Sequence, residues 1–176
     1  MKLLNIIDDR LAGTASKGSM VLHSRSITLS QTINKINQKV KDKKGIKYLN
    51  IYCHGMPSGL QFSKSNITLG NFSEFGKLSS QIQHISIFAC RAAYKSNWKI
   101  CQGIAKYAKC TVSAATAIQI YRITSNGYDF GEREGNVILF YPSGKTKKLK
   151  DDTNTDYGQT YQILTRDNIW EDVKKW

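Results

Sequence analysis

A chain of 176 residues with 40% hydrophobic content can bury one sizeable core and is too short for two comfortable domains without a linker. Two prolines, no low-complexity tract and no repeated unit argue against a linker or a solenoid, so residues 1–176 read as one domain. The net charge of +13 implies attraction to polyanions, but the lysines of "KVKDKK" and "KTKKLK" are not gathered with aromatics into a nucleic-acid motif and describe a solvated basic surface.

The chain opens on "MKLLNIIDDR", whose apolar run is too short for a signal peptide's hydrophobic region or a membrane span. A cytoplasmic protein with no membrane partner is the expectation, with delivery into another cell left open. Within that run, "KLLNIID" (2–8) predicts a buried strand closing on acidic turn residues. "SMVLHSRS" (19–26) suggests a second strand. From 28 to 44, Leu29, Ile33, Ile36 and Val40 recur at spacings of three and four, which predicts an amphipathic helix stopped at Gly45. "IKYLNIYCH" (46–54) then predicts a strand, and "GLQFSKSNITLG" (59–70) a hairpin or lid turning at Ser63 to Asn66. A short helix in "FSEFGKLSSQI" precedes the apolar strand "HISIFACRAA" (84–93). "NWKICQGIAKYAKC" (97–110) predicts a second amphipathic helix despite Gly103, and "TVSAATAIQIY" (111–121) and "NVILFYPSG" (136–144) complete the strands. This alternation predicts an α/β three-layer sandwich, a mainly parallel sheet between two helical layers, with any ligand beyond the carboxyl ends of the strands.

His54 and Cys90 both fall at such ends. A cysteine is a competent nucleophile, and an imidazole nearby raises its thiolate fraction or takes its proton during attack. Gly55, without a side chain, leaves its backbone N–H open to a substrate carbonyl. Taken singly, His-Gly reads as a turn and Ala-Cys as core; jointly they point to chemistry. The stretches "LNIYCHG" (49–55) and "ISIFACRAA" (85–93) resemble those of caspase-like cysteine peptidases of clan CD, with Ala92 where the caspase nucleophile turn has a glycine. The resemblance covers residues 1 to about 125. The interval of 36 positions between His54 and Cys90 is similar to that of a pared-down, CHAT-type domain.

That resemblance implies His54 as general base, Cys90 as nucleophile and the N–H groups of Gly55 and Cys90 as an oxyanion hole. It also implies a substrate pocket drawn from "DDRLAGT" and "IQIYRITSNG". There Asp8 or Asp9 would favour a basic substrate residue, whereas Arg10 with Arg122, beside Tyr121, would favour an acidic one. Asp8 and Asp9 also fit a simpler role, closing a strand and capping its turn. The expected function is a cysteine endopeptidase acting on protein or peptide substrates. The small, basic chain also fits a bacterial effector or toxin module. The alternative is a non-catalytic basic α/β module that binds an acidic protein, or nucleic acid through general charge alone.

Other signals are weaker. "YPSGKTKK" (141–148) ends like a phosphate-binding loop but has Leu139 where the first glycine belongs, which removes nucleotide binding. Cys53, Cys90, Cys101 and Cys110 lack metal-ligand spacing, so neither a metal nor any other cofactor is called for and reduced thiols are expected. Strand alternation sends Cys53 to the opposite face from His54, into the core. His84 and His23 read as structural or exposed, and Glu132 and Glu134 as members of a solvated loop.

Overall fold

In chain order the elements are β1 (Leu3–Asp8), β2 (Met20–Leu22), α1 (Leu29–Asp42), β3 (Tyr48–Tyr52), β4 (His54–Met56), β5 (Gly59–Gln61), a 3-10 helix (Phe72–Leu78), β6 (His84–Phe88), α2 (Ser96–Ala108), β7 (Thr111–Ala115), β8 (Arg122–Thr124), β9 (Gly127–Asp129), β10 (Val137–Phe140) and β11 (Thr146–Lys148). The structure is a computed structural model that describes residues 3–11, 19–22, 26–43, 45–119, 122–124, 127–129 and 135–149. His23, Tyr121, Glu132 and Glu134 lie outside the described residues, and of Arg122 only the backbone is described.

Seven strands form one sheet in the order β11-β10-β7-β6-β3-β1-β2. The five from β2 to β7 run parallel, and β10 and β11 join antiparallel at one edge. From β1 the chain goes outward to β2, then crosses back to β3 and onward to β6 and β7. The direction of winding therefore reverses between β1 and β3, the place where open α/β sheets leave a crevice at the strands' carboxyl ends.

The connections β2 to β3, β3 to β6 and β6 to β7 all step across the sheet in the same direction. Right-handed crossovers moving one way must stack on one face. Accordingly, Leu29, Ile33, Ile36 and Val40 of α1, Phe75 and Leu78 of the 3-10 helix, and Ile100, Ile104 and Ala108 of α2 share one apolar cluster with the strands. The strand members of that cluster alternate: Leu4 and Ile6, Leu49 and Ile51, Ile85 and Ile87, Val112 and Ala114. Among the described residues both α-helices are on this face, and no helix covers the other.

The opposite face is buried but polar along its middle. His84 Nδ1 lies 2.7 Å from Thr111 Oγ1, and its Nε2 lies 3.1 Å from both Ser86 Oγ and Ser113 Oγ. Asn50 Nδ2 donates to Asn5 Oδ1 and to the Tyr52 hydroxyl. His84 is thus a structural residue, held by hydroxyls that alternate up neighbouring strands.

Local signals explain the ends of the elements. Thr28 caps α1 reciprocally with Gln31, each satisfying the other's backbone N–H. Gly45, at φ +108°, turns the chain after α1 as expected. The "PSGK" stretch is the β10–β11 hairpin turn: Gly144, at φ +90°, donates to the Tyr141 carbonyl, and no phosphate loop is formed. No helix among the described residues is long and apolar enough to cross a membrane.

Candidate functional site

Strands β3 and β6 lie side by side in parallel register, ending on the pair Tyr52 and Phe88, whose rings stack at 4.7 Å. One residue further, the Cys53 N–H still donates to the Phe88 carbonyl at 3.1 Å. The two chains then part. His54 is not the last residue of β3, as the sequence pattern suggested; it opens a separate hairpin, β4–β5, closed by Met56 opposite Gly59. That hairpin begins before the stretch expected to form it. Only its continuation, where Leu60 bridges to Ile67 around Ser63 and Asn66, occupies the predicted turn.

The hairpin aims Gly55 at the nucleophile turn. In a two-residue hairpin the closing pair is hydrogen-bonded and the next pair is not. Gly55 is in that next pair, and Leu60 opposite it gives its N–H and accepts at its C=O in bonds with Ile67. The Gly55 N–H therefore faces out of the ribbon. On its other side the Gly55 α-carbon rests against the Cys90 backbone, where a Cβ would overlap the Cys90 carbonyl. Glycine is required here for close approach rather than for an unusual φ. The Cys90 N–H has no hydrogen-bond partner among the described residues, so two backbone donors, those of Gly55 and Cys90, are left unused where the two segments meet.

The His54 ring is half-buried, and its Nε2 lies 3.3 Å from the Arg10 carbonyl oxygen across the β1–β3 crevice. A carbonyl can only accept, so Nε2 carries the proton and Nδ1 is left as the basic nitrogen of the neutral ring. Arg10 is itself fixed. Its Nε and Nη2 each donate to the Asp8 carboxylate at 2.7 Å, and its own N–H donates to Asp8 Oδ1 at 3.1 Å. The Ser63 N–H completes the carboxylate at 2.9 Å, while Arg10 Nη2 reaches back to the Ser63 carbonyl at 3.0 Å. Bonding to Asp8 holds the Arg10 guanidinium even above its ordinary value, against the opposing effect of burial. The carboxylate thus serves to position the carbonyl that positions the imidazole.

Cys90 is half-buried, whereas Cys53, Cys101 and Cys110 are buried in the core. Burial pushes the Cys53 and Cys110 thiols well up from the ordinary range, with Asp8 adding to the effect on Cys53. The Cys90 thiol donates to the Gln119 carbonyl at 3.6 Å and accepts from the Gln119 N–H at 3.4 Å. The turn after it is pinned by Arg91 N–H to Ala117 O at 2.8 Å and Ala93 N–H to Ala115 O at 2.9 Å, both beyond or at the end of β7. Asn97, in the first turn of α2, donates through Nδ2 to Met56 O at 2.9 Å and Arg91 O at 3.2 Å. It ties the histidine hairpin to the cysteine turn, and its Oδ1 is buried without a partner. Ser96 Oγ adds a bond to Pro57 O at 2.8 Å.

The structure therefore brings the backbones of Gly55 and Cys90 together, with His54 one residue before Gly55 and its ring against the Arg10 carbonyl, while the Cys90 sulfur lies against the Gln119 backbone. It does not make Asp8 a free pocket carboxylate: Asp8 is fully buried, saturated by Arg10 and Ser63, and caps the turn after β1. Asp8 and Arg10 neutralise each other, so neither is free to select a charged substrate residue, whereas the Arg122 side chain and Tyr121 lie outside the described residues. Asp9 is exposed, and its N–H donates to Leu22 O. None of Asp8, Asp9 and Arg10 lines the cavity beside Cys90. Asn97 and the Gln119 backbone were missed. Asn97 had a signal, since it is a polar residue on the buried stripe of α2 shared with Cys101 and Ile104. Among the described residues no cluster of three or more His, Cys, Asp or Glu could hold a metal ion. No protein-family model, no curated protein and no solved structure matches this chain.

Proposed function

We propose that the chain is a cysteine endopeptidase of caspase-like, CHAT-type architecture, with His54 as general base and Cys90 as nucleophile. The observation that carries this reading is the seating of Gly55 against the Cys90 backbone just beyond two adjacent parallel strands, one residue after a histidine whose tautomer is fixed by the Arg10 carbonyl. In the reaction the thiol proton passes to His54 Nδ1 and sulfur attacks the peptide carbonyl carbon. The outward-facing Gly55 and Cys90 N–H groups receive the developing oxyanion. The C–N bond breaks as His54 returns the proton to the leaving amine. Water then hydrolyses the thioester by the same base and restores the thiol.

The thiol starts from a contact with Gln119 that spends its proton on a carbonyl, so the first step includes rotation of Sγ–H toward the ring. An endopeptidase with an open crevice at the carboxyl ends of the strands suits protein substrates, and the basic surface suits an effector or toxin that meets acidic partners. Cleavage of a random peptide library, wild type against Cys90→Ala, tests the reading. Cleavage that disappears in the variant supports it. A library left intact, with strongly salt-dependent polyanion binding instead, supports a non-catalytic basic module.

A further inference from the structure

Gly55 and Cys90 also border a cavity of about 350 Å³, and its far wall is the turn that follows the cysteine. In that turn Arg91 and Lys95 both adopt left-handed backbone, each at φ 50°, which non-glycine residues seldom do. The two residues bracket Tyr94. The Arg91 guanidinium carbon lies 5.9 Å and Lys95 Nζ lies 5.3 Å from the centroid of its ring. One aromatic ring thus gathers two cations at the mouth of a cavity whose remaining wall includes the apolar Met56 and Ile118.

None of the described residues lining the cavity is acidic, and neither Arg91 nor Lys95 has a carboxylate partner among the described residues. The carboxylate that could have selected a basic substrate residue, Asp8, is consumed by Arg10 and Ser63. Strained backbone that presents unneutralised cations beside a nucleophile is the arrangement expected of a site for an anionic group. Its cations come from the segment after the cysteine, not from the segments after β1 and β7 where the resemblance placed the pocket.

We infer that this cavity receives a negatively charged side chain flanking the scissile bond of a peptide substrate, with Arg91 and Lys95 as the residues that select it. The inference rests on the cysteine-peptidase reading of the crevice, but its anion-binding half is separable by experiment. Iodoacetate and iodoacetamide form the same S–C bond with loss of iodide, and they differ in charge. The rate ratio of iodoacetate to iodoacetamide at Cys90, divided by the same ratio for free cysteine, is expected to be about fivefold or more at low salt, falling toward one as salt is raised. In Arg91→Gln/Lys95→Gln, whose side chains are exposed and whose fold is checked by its unchanged melting curve, the ratio falls to about one. In parallel, peptides carrying Glu, Gln or Lys on either side of the bond are compared. Wild type favours Glu on one side, and the double variant loses far more on the Glu peptide than on the Gln peptide.

A ratio near one in wild type, or cleavage with no preference for Glu, overturns the inference while leaving the peptidase reading intact. A charge preference at Cys90 with no peptide cleaved supports the anionic cavity and overturns the peptidase reading instead.

Discussion

His84 and His54 mark opposite ends of the paired strands β6 and β3. At the amino end His84 is buried, and both ring nitrogens meet hydroxyls of Thr111, Ser86 and Ser113. At the carboxyl end His54 is half-buried, and its ring meets one backbone carbonyl through Nε2, with no hydrogen bond at Nδ1 among the described residues. The same side chain is therefore structural where a sheet face consumes both nitrogens and chemically available where the chain leaves the sheet. Two neighbours amplify the contrast: Cys53 is packed in the core one residue before His54, whereas Cys90 is held by backbone groups at the crevice.

Substitutions at the two rings should divide activity from stability. His54→Ala should lower kcat/KM for peptide cleavage by about 10²–10⁴-fold, the usual contribution of a positioned general base, with little change in the denaturation midpoint. His84→Ala should do the reverse. Leaving three buried hydroxyls short of a partner costs about 2–4 kcal/mol in denaturant unfolding, with kcat per folded molecule within about twofold of wild type. Equal losses of activity at the two positions would erase the contrast.

Gly55→Ala sharpens it at the crevice itself. The new methyl group must push the β4–β5 hairpin off the Cys90 carbonyl, so the variant should lose about 1–3 kcal/mol and also most of its activity. A neutral outcome in both would mean that the hairpin does not seat on the nucleophile turn.

The smallest effect concerns the buried thiols. Burial raises Cys53 and Cys110, so the folded chain keeps protons that the unfolded chain releases. Their contribution is intact below the ordinary thiol range, about pH 8.5, and fades as the pH rises above it, by about 1.4 kcal/mol per pH unit for each thiol. Denaturant midpoints at pH 7.5 and 9.5, compared with Cys110→Ala, check this; the variant should show a shallower decline.

Much of the fold could be read from periodicity. The Leu29 to Val40 stripe gave α1, the apolar runs gave β1, β3, β6 and β10, and their alternation with helices gave a mainly parallel sheet. That both described α-helices share one face could not be read, because it follows from the order in which crossovers step across the sheet and not from any one segment. In the proposed site, the meeting of Gly55 with Cys90 was legible because both follow strongly patterned stretches. The roles of Arg10 and Gln119 were not, because both act through backbone atoms that no side-chain pattern reports. Asp8 misled for a related reason: its partner in the structure is two residues away, and sequence alone does not say which way either side chain turns.

The most direct test of the proposed dyad is the iodoacetamide alkylation rate of Cys90, followed by mass spectrometry, in wild type and in His54→Ala. The account predicts that Cys90 reacts at least about tenfold faster than Cys53, Cys101 and Cys110, and that removing the imidazole abolishes most of that lead although the exposure of the sulfur is unchanged. A Cys90 that reacts equally fast without His54 would show that exposure alone explains its reactivity, and the account would be contradicted.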